Sequence, residues 1–579
     1  MRLKPLGTAI FFLSPAALLC TLSHSSLVPD AELSRKTHIA VPLKDEEGRV
    51  IDYRDPQAKP YSPRTTCGGC HSYEAITRAY HFTMGADLLS DDWGRKNRNR
   101  PWMSSPGQNG GQQHMSYIWL TKKAHRSESE VGETTFRFVQ TCAVCHPGGS
   151  LFERDRDGRR YDLRQRAHPE LASSLDGDYH AAAWDRSGVL EADCLMCHSS
   201  SYDMKARAEQ LAKGNYRWAA TAGARLGTVE GSVLAGEKPV LTYRTATAND
   251  GSLMVVPARS RDENCLLCHG EAEVKKRGHV WDGRNADVHT RLSCTTCHVT
   301  GPDHQISKGQ SNAVFLHDEL DDPKLSCAGC HNAGRLGAKR PSHRSMPVTH
   351  LKNLSCVVCH VRDNHVTAVQ TVDTTTGKTV GIPTNPEAHK YGESKTWQPA
   401  YFRLKSGQIS SGNVLLPSWW GNRVGNVIHP LTLAETAKAF ELTKKSLQDD
   451  NGDGKPEANT HAEITAMLRA IERTLRGGRF EVIQPAYVKG HRVWERYGEI
   501  LSSRPHPQAA PLRWTFSHNV ARAARALGSQ GCTDCHGKAG GVLGTDVTID
   551  PYGEDGKPVK VHAWKYLKLR SPDPYTATK

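Results

Sequence analysis

The sequence predicts a mainly α chain with extensive loops, held together by bound prosthetic groups more than by its own side chains. Three observations carry this expectation. The pattern C-x-x-C-H occurs eight times in 579 residues. Only 37% of the residues are hydrophobic, against 50 Gly and 31 Pro, so little side-chain surface is on hand for a conventional core. The longest stretches with clear periodicity carry apolar residues at helical spacing.

The motifs begin with Cys67, Cys70 and His71, then Cys142, Cys145 and His146. Cys194, Cys197 and His198 follow, then Cys265, Cys268 and His269. Next come Cys294, Cys297 and His298, and Cys327, Cys330 and His331. Cys356, Cys359 and His360 form the seventh, and Cys532, Cys535 and His536 the eighth. C-x-x-C-H reads as a c-type haem attachment site. Two thiols form thioethers with the porphyrin, and the next histidine lies under the iron as proximal ligand. Structural zinc and disulfides need no histidine after every second cysteine. Sixteen of the seventeen cysteines are consumed, leaving Cys20. The fold class is therefore a multihaem cytochrome c architecture organised around eight closely packed covalent haems.

Of 29 histidines, eight are proximal by motif, so distal imidazoles are in ample supply. His289 and His304 flank the fifth motif, and His350 and His365 flank the seventh. A distal ligand approaches the opposite porphyrin face, so a histidine this close to its own motif more easily serves a neighbouring haem. His81 lies in the helix-like SYEAITRAYHF, and His518 opens FSHNVARAARALGSQGCTDCH. His180, His279 and His343 complete the distal candidates. His38, His168, His461, His491 and His562 read as ordinary polar residues.

The start, MRLKPLGTAIFFLSPAALLCTLSHSS, has a basic n-region and an apolar h-region, with Ser23 and Ser25 as a small-x-small site. Residues 1–25 are expected to be a secretory signal, the alternative being an N-terminal anchor. Export to the periplasm or outer cell surface fits, because c-type haem is attached outside the cytoplasm. The net charge of +14 comes with no nucleic-acid motif, and lysines and arginines offset the haem propionates.

Length alone gives about four domains, but the motifs divide the chain differently. Residues 26–375 form a haem-rich core with motifs one to seven, and residues 511–579 carry the eighth. Motifs four to seven start at Cys265, Cys294, Cys327 and Cys356, offsets of 29, 33 and 29 residues that force their haems together. Residues 376–510 hold no motif. There, LTLAETAKAFELTKKSLQDD predicts a helix with Leu431, Ala434, Ala437 and Leu442 inward. HAEITAMLRAIERTLR predicts a second, with Ile464, Met467, Leu468 and Ile471 inward. Between them, Asp449, Asn451, Asp453 and the Lys455 carbonyl match positions 1, 3, 5 and 7 of a calcium loop, with Gly454 at position 6. Thr460 replaces the bidentate glutamate, so Glu457 or Glu463 would compensate. The other reading is an acidic Gly-rich turn.

DVHTRLSCTTCHVTGPDHQI, with SHNVARAARALGSQGCTDCHG and the motif count, resembles the octahaem tetrathionate reductase family. The resemblance spans roughly residues 64–366 and returns at the eighth motif. It implies a mostly helical, loop-rich fold around largely bis-histidine haems. It also implies one distinct haem at the second motif, on Cys142, Cys145 and His146, with a distal lysine where small anions are reduced. No lysine follows within PGGSLFERDRDG, and Lys122 and Lys123 lie upstream. Pro147, Gly148 and Gly149 stop any helix after His146, either opening a pocket or turning the chain.

The first functional expectation is an exported octahaem cytochrome that transfers electrons along a haem array in anaerobic-type respiration. Its partners would be a quinol dehydrogenase or other cytochromes. The alternative is a terminal reductase of tetrathionate, nitrite or hydroxylamine at one distinct haem, taking a small anionic substrate.

Overall fold

The computed structural model describes residues 41–83, 139–140, 143–155, 158–173, 179, 182–244, 259–269, 287–309, 322–344, 346–362, 371–377, 400–431, 433–450, 452, 454–478, 480–536 and 541–569. The signal segment, Cys20, His38, Lys122 and Lys123, Cys142, His180, His279, His365, Asn451 and Asp453 lie outside these residues.

Each described motif closes into one helical turn. The proximal histidine N–H donates to the carbonyl of the first cysteine, at 2.9 Å for His71, His298 and His536. Positions i, i+3 and i+4 of a helix share one face, so this turn places both sulfurs and the imidazole side by side. Short helices result at Cys194–His198, Asp262–His269, Cys294–Cys297, Cys327–Ala333, Cys356–His360 and Thr533–His536. Ser326 caps one of them, its Oγ accepting from Gly329 N at 3.0 Å.

The N-terminal lobe gathers around helices α1 (Met204–Ala212) and α2 (Tyr216–Gly223) and the ribbon β1 (Gly227–Glu230) with β2 (Val240–Tyr243). Its core is aromatic: Trp184 stacks on Tyr161 at 4.5 Å and tilts against Tyr216 at 5.5 Å. Such ring pairs contribute roughly 0.5–1.5 kcal/mol beyond their buried area.

The interval between the seventh and eighth motifs corrects the mainly α expectation. It holds an eight-stranded sheet: β3 (Thr371–Asp373), β4 (Ala400–Arg403), β5 (Ile409–Val424), β6 (Val427–Pro430), β7 (Pro485–Lys489), β8 (Arg492–Tyr497), β9 (Ile500–Pro505) and β10 (Leu512–Thr515). β5 is the spine. Its first half pairs antiparallel with β4 and β10, its second half with β6 and β7, and β3 joins it in parallel. Pro417, with no N–H to give, falls between the last residue paired to β10, Leu415, and the first paired to β7, Trp419. Trp420 and Tyr487 stack at 3.8 Å across the β5–β7 pair. A last ribbon, β11 (Asp546–Asp550) with β12 (Val559–His562), follows the eighth motif.

Two helices, α3 (Leu433–Thr443) and α4 (His461–Leu475), pack on this sheet. In α4, Ile464, Met467, Leu468 and Ile471 are buried as their spacing predicts. In α3 the inward line is Thr436, Ala439 and Thr443, whereas Leu442 is 62% exposed. The predicted stripe was rotated because it counted from Leu431, which is buried but precedes the helix. Among the described residues no helix is long and apolar enough to cross a membrane.

Candidate haem sites

Six proximal histidines each face a second histidine from another part of the chain. His81 faces His269 with ring centres 6.1 Å apart, and His304 faces His198 at 6.1 Å. His289 faces His331 at 6.3 Å, and His518 faces His298 at 6.0 Å. His343 faces His360 at 6.1 Å, and His350 faces His536 at 5.9 Å. Two metal–imidazole bonds of about 2 Å each, plus about 1 Å from each nitrogen to its ring centre, separate trans imidazoles by roughly 6 Å. All six pairs therefore leave the gap that one iron fills. Neither flanking histidine of the fifth motif faces His298: His289 meets the sixth motif and His304 the third.

The tautomers fit as well. His298 Nδ1 lies 2.8 Å from Ser307 O, His331 Nδ1 2.7 Å from Lys339 O, and His304 Nδ1 3.1 Å from Pro302 O. A carbonyl oxygen only accepts, so each Nδ1 carries the proton and leaves the Nε2 lone pair for a metal. His289 Nδ1 meets the Asp287 carboxylate at 3.0 Å. Asp287 is held below the ordinary carboxylate value: burial raises it, but hydrogen bonds from the His289 ring and backbone and from Val520 prevail. His350 Nδ1 has only the weak acceptor Met346 Sδ, at 3.4 Å. His536 Nδ1 is buried with no hydrogen-bond partner among the described residues.

Thiols of different motifs abut. Cys67 hydrogen-bonds with Cys194, linking motifs one and three. Cys265 is pulled down to about 7 by a hydrogen bond with Cys294, which is pushed up in turn, linking four and five. Cys268 lies 3.2 Å from Cys145 O, linking two and four. Burial, then the Cys265 charge, pushes Cys197 up to about 12, linking three and four. Cys297 and Cys330, Cys327 and Cys356, and Cys359 and Cys535 lie within electrostatic reach of one another, which brings motifs five and six, six and seven, and seven and eight into the same neighbourhood. Asp262, on the fourth motif's helix, accepts from Cys294 N at 2.8 Å. Among the described residues no three His, Cys, Asp or Glu side chains gather to hold a lone metal ion.

The second motif is fixed from outside by Arg207, which is fully buried. Its guanidinium donates to Ala143 O and His146 O, both at 3.1 Å, and to Asp193 at 2.9 Å. Asp193 also accepts from Tyr202 OH. The turn after His146 packs against residues 190–193. Asp193 N donates to Pro147 O at 2.7 Å and Gly149 N to Leu190 O at 2.8 Å. A Cβ on Gly148 would stand 2.4 Å from Glu191 O. Glu153, beyond the turn, accepts from Tyr73 OH and Arg64, and burial raises its pKa.

At the acidic turn, Asp449 accepts from Gly454 N at 2.8 Å. Glu463 closes the base of this turn, bridging its two ends. Its carboxylate takes Gln448 N and Thr460 N, each at 3.0 Å, in the capping box of α4. Thr460 is the N-cap, so the helix starts later than a calcium loop places it. Of the histidines read as ordinary, His168 meets Glu170, His562 meets Asp546, and His461 edges onto Trp494.

No family model and no curated protein match the sequence. Among solved structures, the chain is similar to an octaheme cytochrome c from Shewanella oneidensis, at 16% identity over 80% of this chain and 91% of that chain, with a TM-score of 0.30. A superposition that loose establishes no common fold.

Proposed function

We propose that this chain is a multihaem c-type cytochrome that passes electrons along a series of bis-imidazole haems. The carrying observation is the set of six histidine pairs whose ring centres stand 5.9–6.3 Å apart. When bound, haem supplies reversible one-electron chemistry at iron. The cysteine pairs would hold each porphyrin, and the six histidine pairs would ligate the iron of theirs. Carbonyls of Ser307, Lys339 and Pro302 and the carboxylate of Asp287 orient those imidazoles and raise their basicity. Six-coordinate iron exchanges electrons with little rearrangement, which favours conduction over substrate binding.

The cysteine contacts of motifs one with three, four with five and two with four, and the electrostatic proximity of the others, support a haem order of one, three, four, five, six, seven, eight, with two branching from four. Covalent attachment supports export, and redox proteins are the partners. A reductase site at the second motif, on Cys142, Cys145 and His146, is the lesser reading, since the paired histidines at the six other motifs favour conduction. The experiment is a potentiometric titration of the purified protein with a haem-content assay. Eight haems reduced reversibly, with no carbon monoxide adduct, support conduction. A haem that binds carbon monoxide tightly and turns over an oxyanion moves the assignment to the reductase.

A further inference from the structure

We propose that the segment 322–353 is the docking surface for an acidic redox protein; this rests on the electron-transfer reading above. The segment contains Lys324, Arg335, Lys339, Arg340, Arg344 and Lys352 against a single carboxylate, Asp322, a surplus of five positive charges. All six cations are exposed. None makes an ion pair among the described residues, in contrast to the N-terminal lobe, where Arg64, Arg160, Arg164 and Lys213 all pair with carboxylates. Unpaired cations of one sign, held together, create a field that steers an oppositely charged partner.

Their placement ties that field to the haem series. The same segment supplies His331, the proximal histidine of the sixth motif, and His343 and His350, which face the proximal histidines of the seventh and eighth motifs. No described residue in it is buried. Among the cations, Leu336, Val348 and Leu351 are exposed at 42%, 79% and 47%. Exposed apolar side chains interspersed with cations along one segment that carries haem ligands match a partner with an acidic rim around its own cofactor. The other task open to these cations is to offset haem propionates, and that role predicts a different result below.

The test uses the full haem-loaded protein and the variant Arg335→Glu, Arg340→Glu, Arg344→Glu. An acidic flavodoxin in its hydroquinone form is the electron donor, mixed in stopped flow at several ionic strengths. The parent rate should fall about tenfold from low to physiological salt. The variant should react about tenfold more slowly at low salt and lose most of its salt dependence, with unchanged haem potentials. The Gln triple variant should fall between them. Equal rates and equal salt slopes in parent and variant would overturn the proposal. So would a rate loss fully explained by shifted haem potentials, which would give the cations to the propionates. A parent that dithionite also fails to reduce would remove the electron-transfer reading itself.

Discussion

The imidazoles of His350 and His536 face each other at 5.9 Å with planes only 20° from parallel. The other five pairs are crossed, at 60–69°. Parallel axial planes split the iron dπ orbitals strongly, whereas crossed planes leave them nearly degenerate. The eighth haem should therefore give a rhombic low-spin electron paramagnetic resonance signal, distinct from the large-g signals of the crossed pairs. His350→Ala should abolish that rhombic signal and yield one high-spin haem. Retention of the signal in the variant would remove His350 as the ligand.

His536 also differs in its Nδ1, which lacks the acceptor that His298 and His331 have. An imidazole that donates no proton to an acceptor is a poorer donor to iron and stabilises the ferric state less. The eighth haem should accordingly have a more positive midpoint potential than the fifth and sixth. Spectroelectrochemistry read at the rhombic signal checks this; a potential below theirs would refute it.

Asp287 orients His289, the proposed distal ligand of the sixth haem. Its folded pKa is depressed, so its contribution is fully present above the unfolded value of about 3.9 and is lost as pH falls through the lower folded value. One low-spin haem should hold at pH 5 and begin to convert only below about pH 4. His289→Ala should make that haem high-spin at every pH, with all eight haems still attached. Asp287→Asn mimics the protonated carboxyl, so it should show that conversion already at neutral pH, with no further acid step. Unchanged spectra in both variants would dismiss the pairing.

Arg207 joins the second motif to Asp193, the residue before Cys194. Arg207→Ala leaves the buried Asp193 uncompensated and frees two carbonyls, a loss of roughly 3–5 kcal/mol. Thermal unfolding of the N-terminal lobe should drop markedly, and recovery of haem on the second and third motifs with it. A variant as stable as the parent would show that the contact carries little.

The motifs were legible in the sequence because attachment chemistry fixes residue type and spacing within five residues. The pairings were only partly legible. Proximity in sequence pointed to His289 and His304 as ligands for neighbouring haems. No local pattern told that His518 faces His298, or His81 faces His269, since the fold alone brings those segments together. Arg207 and Asp287 escaped notice for the same reason: each acts through a contact unseen in linear order. The sheet left a signal that went unread. Gly425-Asn426, Gly490-His491 and Gly498-Glu499 each sit between strand-forming residues, and each is a two-residue hairpin loop with glycine at positive φ.

The most direct test of the account is a spin count on the oxidised, purified protein, with intact mass to count attached haems. The account predicts eight covalent haems and at least six low-spin, bis-imidazole irons, one of them rhombic. A mass without haem, or fewer than six low-spin irons in a fully loaded protein, would contradict it.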